Sequence, residues 1–179
     1  MSVDISGLVV VAGWFARSGM ALDAVYASCD TVARRELWQE LINIKEACNG
    51  PWVSCGDFSL TRYPNERSEG NRIIGAMNEF TEWINEMEFI DPPLLGGTYT
   101  WRRGDTRTSA SRIDRFLYSS QWDESFTQIK QNLMPRLGSD HNPIVLDCGD
   151  LNFKKTYFKF EQGWMVLLRR SRNGGCPSM

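Results

Sequence analysis

Histidine is nearly missing from this chain: among 179 residues His141 is the only one. The five cysteines, Cys29, Cys48, Cys55, Cys148 and Cys176, are odd in number, scattered, and form no C-x-x-C pair. That removes a disulfide framework and a thiolate zinc site, and points to a reducing, intracellular compartment. No run approaches the ~20 apolar residues of a membrane span. Near the start, Asp4 stands where a signal peptide carries Lys or Arg, and Gly13 interrupts the apolar run 8–12. A G-x-S-x-G elbow is missing, and no cysteine sits in a nucleophile context, so a serine or cysteine hydrolase fits poorly. An excess of positive charge is lacking as well. With a formal net charge of -2, the chain as a whole has no electrostatic push toward nucleic acid. Any such binding must come from a local patch, and Arg102, Arg103, Arg107, Arg112 and Arg115 supply the one visible cluster.

What is present is enough bulk for one core. Seven Trp and nine Phe in a chain of this length predict one globular domain, over residues 1–150. Beyond it, 151–179 reads as a linker or tail. Residues 8–12 and 24–27 read as two strands on either side of a turn at Arg17-Ser18-Gly19. Asp30 can cap a helix with Ala33, Leu37, Leu41 and Ile44 on one face, stopped by Asn49-Gly50-Pro51. Residues 52–55 form a short buried strand that delivers Asp57 into a loop. A second helix places Ile73, Met77, Phe80, Ile84 and Met87 on one face, closed by Pro92-Pro93. Residues 98–101 and 112–117 are β-prone and predict a hairpin, and strands follow around Gln131 and over 144–146.

His141 follows Asp140 in a loop between two strands, where both side chains can face a cleft. Asp57 ends a strand, the place where ligands bind in α/β sheets. Asp114 lies within the strand Arg112-Ile113-Asp114-Arg115-Phe116, where an Asp needs a partner such as His141 or an arginine. Three carboxylates and one imidazole form a coherent set for phosphodiester cleavage. Carboxylates suit a hard divalent ion and can orient water, and a cationic imidazole can stabilise charge on phosphorus.

Gly56-Asp57-Phe58-Ser59, the Thr100-Trp101 pair, Ser111-Arg112-Ile113-Asp114-Arg115 and Ser139-Asp140-His141, in that order, resemble the endonuclease/exonuclease/phosphatase superfamily. The run Ala24-Val25-Tyr26-Ala27-Ser28, followed by Arg35-Glu36-Leu37-Trp38, resembles the apurinic-type endonuclease domain of plant non-LTR, LINE-type retrotransposons. The resemblance implies an α/β, four-layer sandwich of the DNase I-like type, lacking its first strand-helix-strand portion. It implies Mg²⁺, with Mn²⁺ as the substitute ion, DNA as partner and a nuclear site of action. Carried over, Tyr26 contacts the scissile phosphate, Asp57 positions or activates water, Asp140 joins the metal and base cluster, and His141 binds phosphate while oriented by Asp114. Ser59 takes the place of a phosphate-binding Asn. Thr100, Trp101, Arg103, Arg107 and Arg112 would face DNA. The family's opening Asn and metal-binding Glu find no match in residues 1–25, so the resemblance implies impaired hydrolysis, or a relic that at most binds nucleic acid.

Overall fold

The computed structural model of the chain describes residues 9–15, 20–47, 50–69, 74–103, 109–126, 128–136 and 138–149. Strands β1 (Val9–Phe15) and β2 (Met20–Tyr26) pair antiparallel; they overlap the expected strands 8–12 and 24–27 and each is longer on the side toward the turn. The turn at 17–19 lies outside the described residues, as do Asn49, Ile73, Arg107 and the tail 151–179. Helix α1 (Thr31–Ala47) starts at Asp30, whose Oδ1 accepts the N–H groups of Val32 at 3.0 Å and Ala33 at 2.9 Å. Two of the donors that every helix start leaves over are thus satisfied, worth ~1 kcal/mol. The helix carries the chain to β3 (Trp52–Asp57), which pairs parallel to β2.

Helix α2 (Gly75–Glu86) buries Met77, Phe80, Trp83 and Ile84. Short strands follow: β4 (Leu94–Leu95), β5 (Trp101–Arg103), β6 (Ser109–Ser111) and β7 (Asp114–Tyr118). Then come α3 (Ser120–Ser125), β8 (Lys130–Leu133) and β9 (Ile144–Asp147). The larger sheet runs β1-β2-β3-β7 and the smaller one β4-β8-β9. The predicted hairpin needs correction. Residues Trp101–Arg103 pair with Ser109–Ser111, while β7 leaves for the larger sheet, antiparallel to β3. The reason lies between the two strands, where Thr100 Oγ1 accepts the N–H groups of Ile113 at 3.1 Å and Asp114 at 3.0 Å and ends the local ladder. Asp114 therefore opens its strand and is not in the middle of it.

Alternation along the strands separates two cores. One face of the larger sheet carries Ala21, Val25, Trp52 and Leu117 against Leu37, Trp38 and Leu41 of α1 and Phe80, Trp83 and Ile84 of α2. Trp38, Phe80 and Trp83 stack at centroid distances of 5.7 to 6.1 Å, and Phe80 is wholly buried. Truncating such a side chain to Ala costs ~3–5 kcal/mol. The opposite face carries Val53 and Tyr118 against Trp122 of α3 and Leu146 of β9. Helices, sheet and second sheet thus follow in layers, a mixed α/β arrangement. The polar ends of β2, β3 and β7 open beside the second sheet.

Candidate active site

Register brings the site together before any side chain is considered. Tyr26 is the Cα partner of Asp57, and Asp57 that of Asp114, so the three form one row across β2, β3 and β7. Partners in a row share a face of the pleat, with neighbouring strands ~4.8 Å apart. Gly56 makes the approach of β3 to β2 feasible: at φ 136°, a Cβ there would stand 2.0 Å from the Val25 carbonyl oxygen. Beyond the row the chain is pinned on both sides. The Ala27 N–H donates to Asp57 O at 2.7 Å, and the Phe58 N–H to Ile113 O at 3.0 Å. Asp57 Oδ1 accepts the Ser59 N–H at 2.7 Å, an Asx turn.

His141 arrives from the other sheet. Its loop is stitched to β5 and its flank, with the Arg102 N–H donating to Asp140 O at 2.9 Å and the Asn142 N–H to Thr100 O at 2.6 Å. His141 Nδ1 lies 3.0 and 3.2 Å from the two oxygens of Asp114. Thr100, holding the Asp114 N–H on one side and the His141 loop on the other, fixes both members of this pair. The hydrogen bond that Nδ1–H donates to Asp114 raises the His141 pKa above its ordinary value, against the opposing effect of partial burial. The shift favours the cationic form of the imidazole, with Nε2 left for an anion.

The pKa of Asp57 is raised as well, by a different cause. Burial pushes its pKa up to about 6; the Ser59 N–H opposes this, while the charge of Asp114 adds to it. One ligand atom each from Asp57, Asp114 and His141 lie within 4.8 Å of one another. Two carboxylates with an exposed mouth suit a hard divalent cation, which takes one or two carboxylates and completes its shell with water and phosphate oxygens. The donor set thus fits the ion that the resemblance implies. Asp140 lies outside that group: it is exposed, its Oδ2 accepts the Trp101 Nε1–H at 3.0 Å, and this bond holds its carboxyl below the usual range.

Three expected roles are corrected. Thr100 is wholly buried and spends its oxygen on backbone N–H groups, so it does not face DNA. Arg112 turns inward and bonds Glu66 at 3.2 Å and Asp91 at 2.9 Å, which removes it from the surface patch. The hydroxyl of Ser59 donates to Ala27 O at 2.8 Å, so its single proton is committed away from any phosphate. Trp101 is half-buried, Arg103 is exposed, and Arg102 lies over the Tyr99 ring at 5.5 Å from its centroid. The sequence reading missed Glu66 and Asp91, which lie 46 and 21 residues before Arg112 and carry no local signal of the pairing. It also missed Asp23, fully buried on β2, which accepts from Trp52 Nε1 and from Ser54 Oγ at 2.7 Å. Burial pushes Asp23 up to about 7 and the Cys55 thiol to about 12, so that thiol is no nucleophile.

Known structures share this architecture. A 3′ phosphatase, NExo from Neisseria, solved with a product DNA hairpin, aligns at TM-score 0.59 and 17% identity, over 78% of this chain and 64% of its own. The endonuclease domain of TRAS1, a telomere-specific non-LTR retrotransposon, aligns at TM-score 0.57 and 12% identity, over 83% of this chain and 65% of its own. Beta toxin of Staphylococcus aureus aligns at 0.56 and 13%, over 80% and 57%. The chain thus spans less than two thirds of each of these structures. No curated protein sequence matches it. The family model for the Endonuclease/Exonuclease/phosphatase family matches residues 3–141, which take in Tyr26, Asp57, Asp114 and His141, and the chain belongs to that family.

Proposed function

We propose that this chain hydrolyses phosphodiester bonds in DNA with Mg²⁺ or Mn²⁺, at a rate below that of an intact family site. The observation that carries the reading is the row Tyr26, Asp57 and Asp114 across three strands, closed by His141 on Asp114. Asp57 orients a water and takes its proton as the water oxygen attacks phosphorus, while the bond from phosphorus to the departing sugar oxygen breaks and that oxygen takes up a proton from solvent. Cationic His141, held by Asp114, donates from Nε2 to a phosphoryl oxygen as negative charge grows there. Tyr26 offers its hydroxyl to the same phosphate. Carboxylate oxygens of Asp57 and Asp114 would hold the metal, with Asp140 as the further acid; bound there, the ion would screen the phosphate charge. Arg102, Arg103 and Trp101 flank this mouth and supply the contacts to the DNA backbone. The run from Ala24 to Ser28 supports a retroelement-type endonuclease, whose place of work is the nucleus.

A second reading, DNA binding without turnover, has one observation in its favour: Ser59 holds its proton on Ala27 O where the resemblance asks for a phosphate-binding amide. Losing one donor of that kind costs ~10²-fold in rate. A plasmid-nicking assay in Mg²⁺ separates the two. Slow nicking that disappears in Asp57→Asn and His141→Ala supports the enzyme. Salt-sensitive binding with no nicking in any form supports the second reading. Nicking that survives both substitutions removes this site from the account.

A further inference from the structure

Strand β7 is the last in its sheet, so every second N–H along it points away from β3 and needs an acceptor from elsewhere. Groups outside that sheet supply one each. Thr100 Oγ1 takes the Asp114 N–H at 3.0 Å, Ile90 O takes the Tyr118 N–H at 3.1 Å, and between them Gln131 Oε1 takes the Phe116 N–H at 2.7 Å. Gln131 comes from β8, the middle strand of the second sheet, and its side chain is fully buried. Its Nε2 is buried with no partner among the described residues. A donor left in that state costs ~1–3 kcal/mol, which Leu or Met at this position would avoid. What Gln131 supplies in return is an acceptor that joins β7 directly to the second sheet.

We propose that Gln131 is a positioning residue for the Asp114–His141 pair: its bond to Phe116 holds the second sheet, with the loop that bears His141, at the distance from β7 that this pair requires. On one side of the bond, Phe116 lies two residues from Asp114 on the same strand. On the other, Gln131 lies three residues before Met134, which anchors the His141 loop. There the Met134 N–H donates to Pro143 O at 2.8 Å, and Asn142 Nδ2 donates to Met134 O at 3.0 Å. The packing around this link is apolar, with Val53, Phe116, Tyr118, Ile129 and Leu146 in one cluster. Packing of that kind is non-directional, whereas the bond between His141 Nδ1 and Asp114 weakens steeply with distance and angle. Gln131 adds the directional contact that the packing lacks. Thr100 fixes the pair from the side of β5, and Gln131 fixes it from the side of β8. Only the consequence for rate rests on the hydrolytic reading; the geometry of the pair stands without it.

The single histidine gives the test an unambiguous signal, because the imidazole Nδ1–H resonance of the full, metal-free chain belongs to His141 alone. Gln131→Met keeps the length of the side chain and removes the acceptor. In that variant the resonance is expected to be lost to exchange with water, as in Asp114→Ala, and kcat for plasmid nicking to fall ~10-fold at unchanged KM. Leu146→Ala loosens the same interface but leaves the bond, and is expected to lower Tm while keeping the resonance. A resonance that survives Gln131→Met, or that disappears equally in Leu146→Ala, overturns the proposal. Loss of the resonance on Gln131→Met in a chain that never nicks DNA supports the positioning and overturns only the hydrolytic reading. Amide exchange in the unaltered chain needs no variant: the Phe116 N–H is expected to exchange as slowly as those of Arg115 and Leu117 within the ladder, and exchange at the rate of an open edge amide overturns the proposal.

Discussion

Glu66 and Asp91 meet Arg112 and Arg115 deep beside β7, whereas Asp57 and Asp114, at the mouth of the same strand, meet only His141. The first cluster balances its charge internally. Arg115 is wholly buried between the two acids, bonding Asp91 at 2.9 Å and Glu66 more closely, with its guanidinium 5.7 Å from the Phe80 centroid. Burial raises the Glu66 pKa, but Arg115, and then Arg112, outweigh it, and the net shift is downward. In the second cluster burial prevails and Asp57 shifts upward, to about 6. Glu66 and Asp57 thus carry opposite shifts because only Glu66 has arginines beside it. The balanced pair ties the loop 61–69 to β7; the unbalanced pair is left with charge for an external cation.

The largest expected effect tests the balanced side. Arg115→Ala strands two buried carboxylates and should destabilise the chain by ~3–5 kcal/mol, read by urea unfolding. Asp114→Ala, at the half-exposed pair, should cost far less stability while abolishing nicking. A cost at Arg115 no greater than that at Asp114 breaks the contrast. Depressed Glu66 adds a pH signature: its contribution is present above the ordinary carboxylate pKa near 4.5 and is lost as pH falls through the lower folded value.

The unbalanced side should respond to ions. Mg²⁺ at 100 times its dissociation constant should stabilise the chain by ~2.7 kcal/mol, raising Tm, and Asp57→Asn should remove most of that rise. An equal rise in both forms places the ion elsewhere. Without metal the sign reverses. Because its folded pKa is raised, Asp57 lowers stability as pH climbs from 3.8 through about 6, so Asp57→Asn should stabilise the metal-free chain at pH 8. Discounted for partial exposure, the gain is ~1–2 kcal/mol, vanishing below pH 4. His141 shifts stability with pH in the same direction, its raised pKa contributing stability that fades as pH rises through the folded value. Nicking should therefore follow a bell, with an acid limb at or below pH 6 set by Asp57.

Much of this was legible in the chain itself. Periodicity located α1, α2 and the strands ending at Tyr26 and Asp57, since a 3.6 repeat and short apolar runs are local signals. The likeness of ordered motifs nominated Asp57, Asp114 and His141, which the fold brings within reach of one another. Burial is not a local property, and this is where the reading failed. Arg112 and Arg103 look alike in sequence, yet one is buried between acids and the other is in water, because Glu66 arrives from 46 residues upstream to meet Arg112. Thr100 was misjudged for a related reason: what it holds, the N–H groups of Ile113 and Asp114, depends on a chain crossing that no periodicity announces.

The smallest effect sits between the two clusters, at Ser59. Its backbone is left-handed, φ 52°, a conformation that Asn adopts more readily than Ser. Ser59→Asn should thus relieve strain of ~0.5–1 kcal/mol while keeping the N–H donated to Asp57 Oδ1. Because the Ser hydroxyl now bonds Ala27 O, the change exchanges one internal bond for an amide with two donors. If that amide reaches the phosphate, nicking should rise ~10–100-fold with Tm nearly constant. Stability that rises without any gain in rate would show that the residue limits only the backbone.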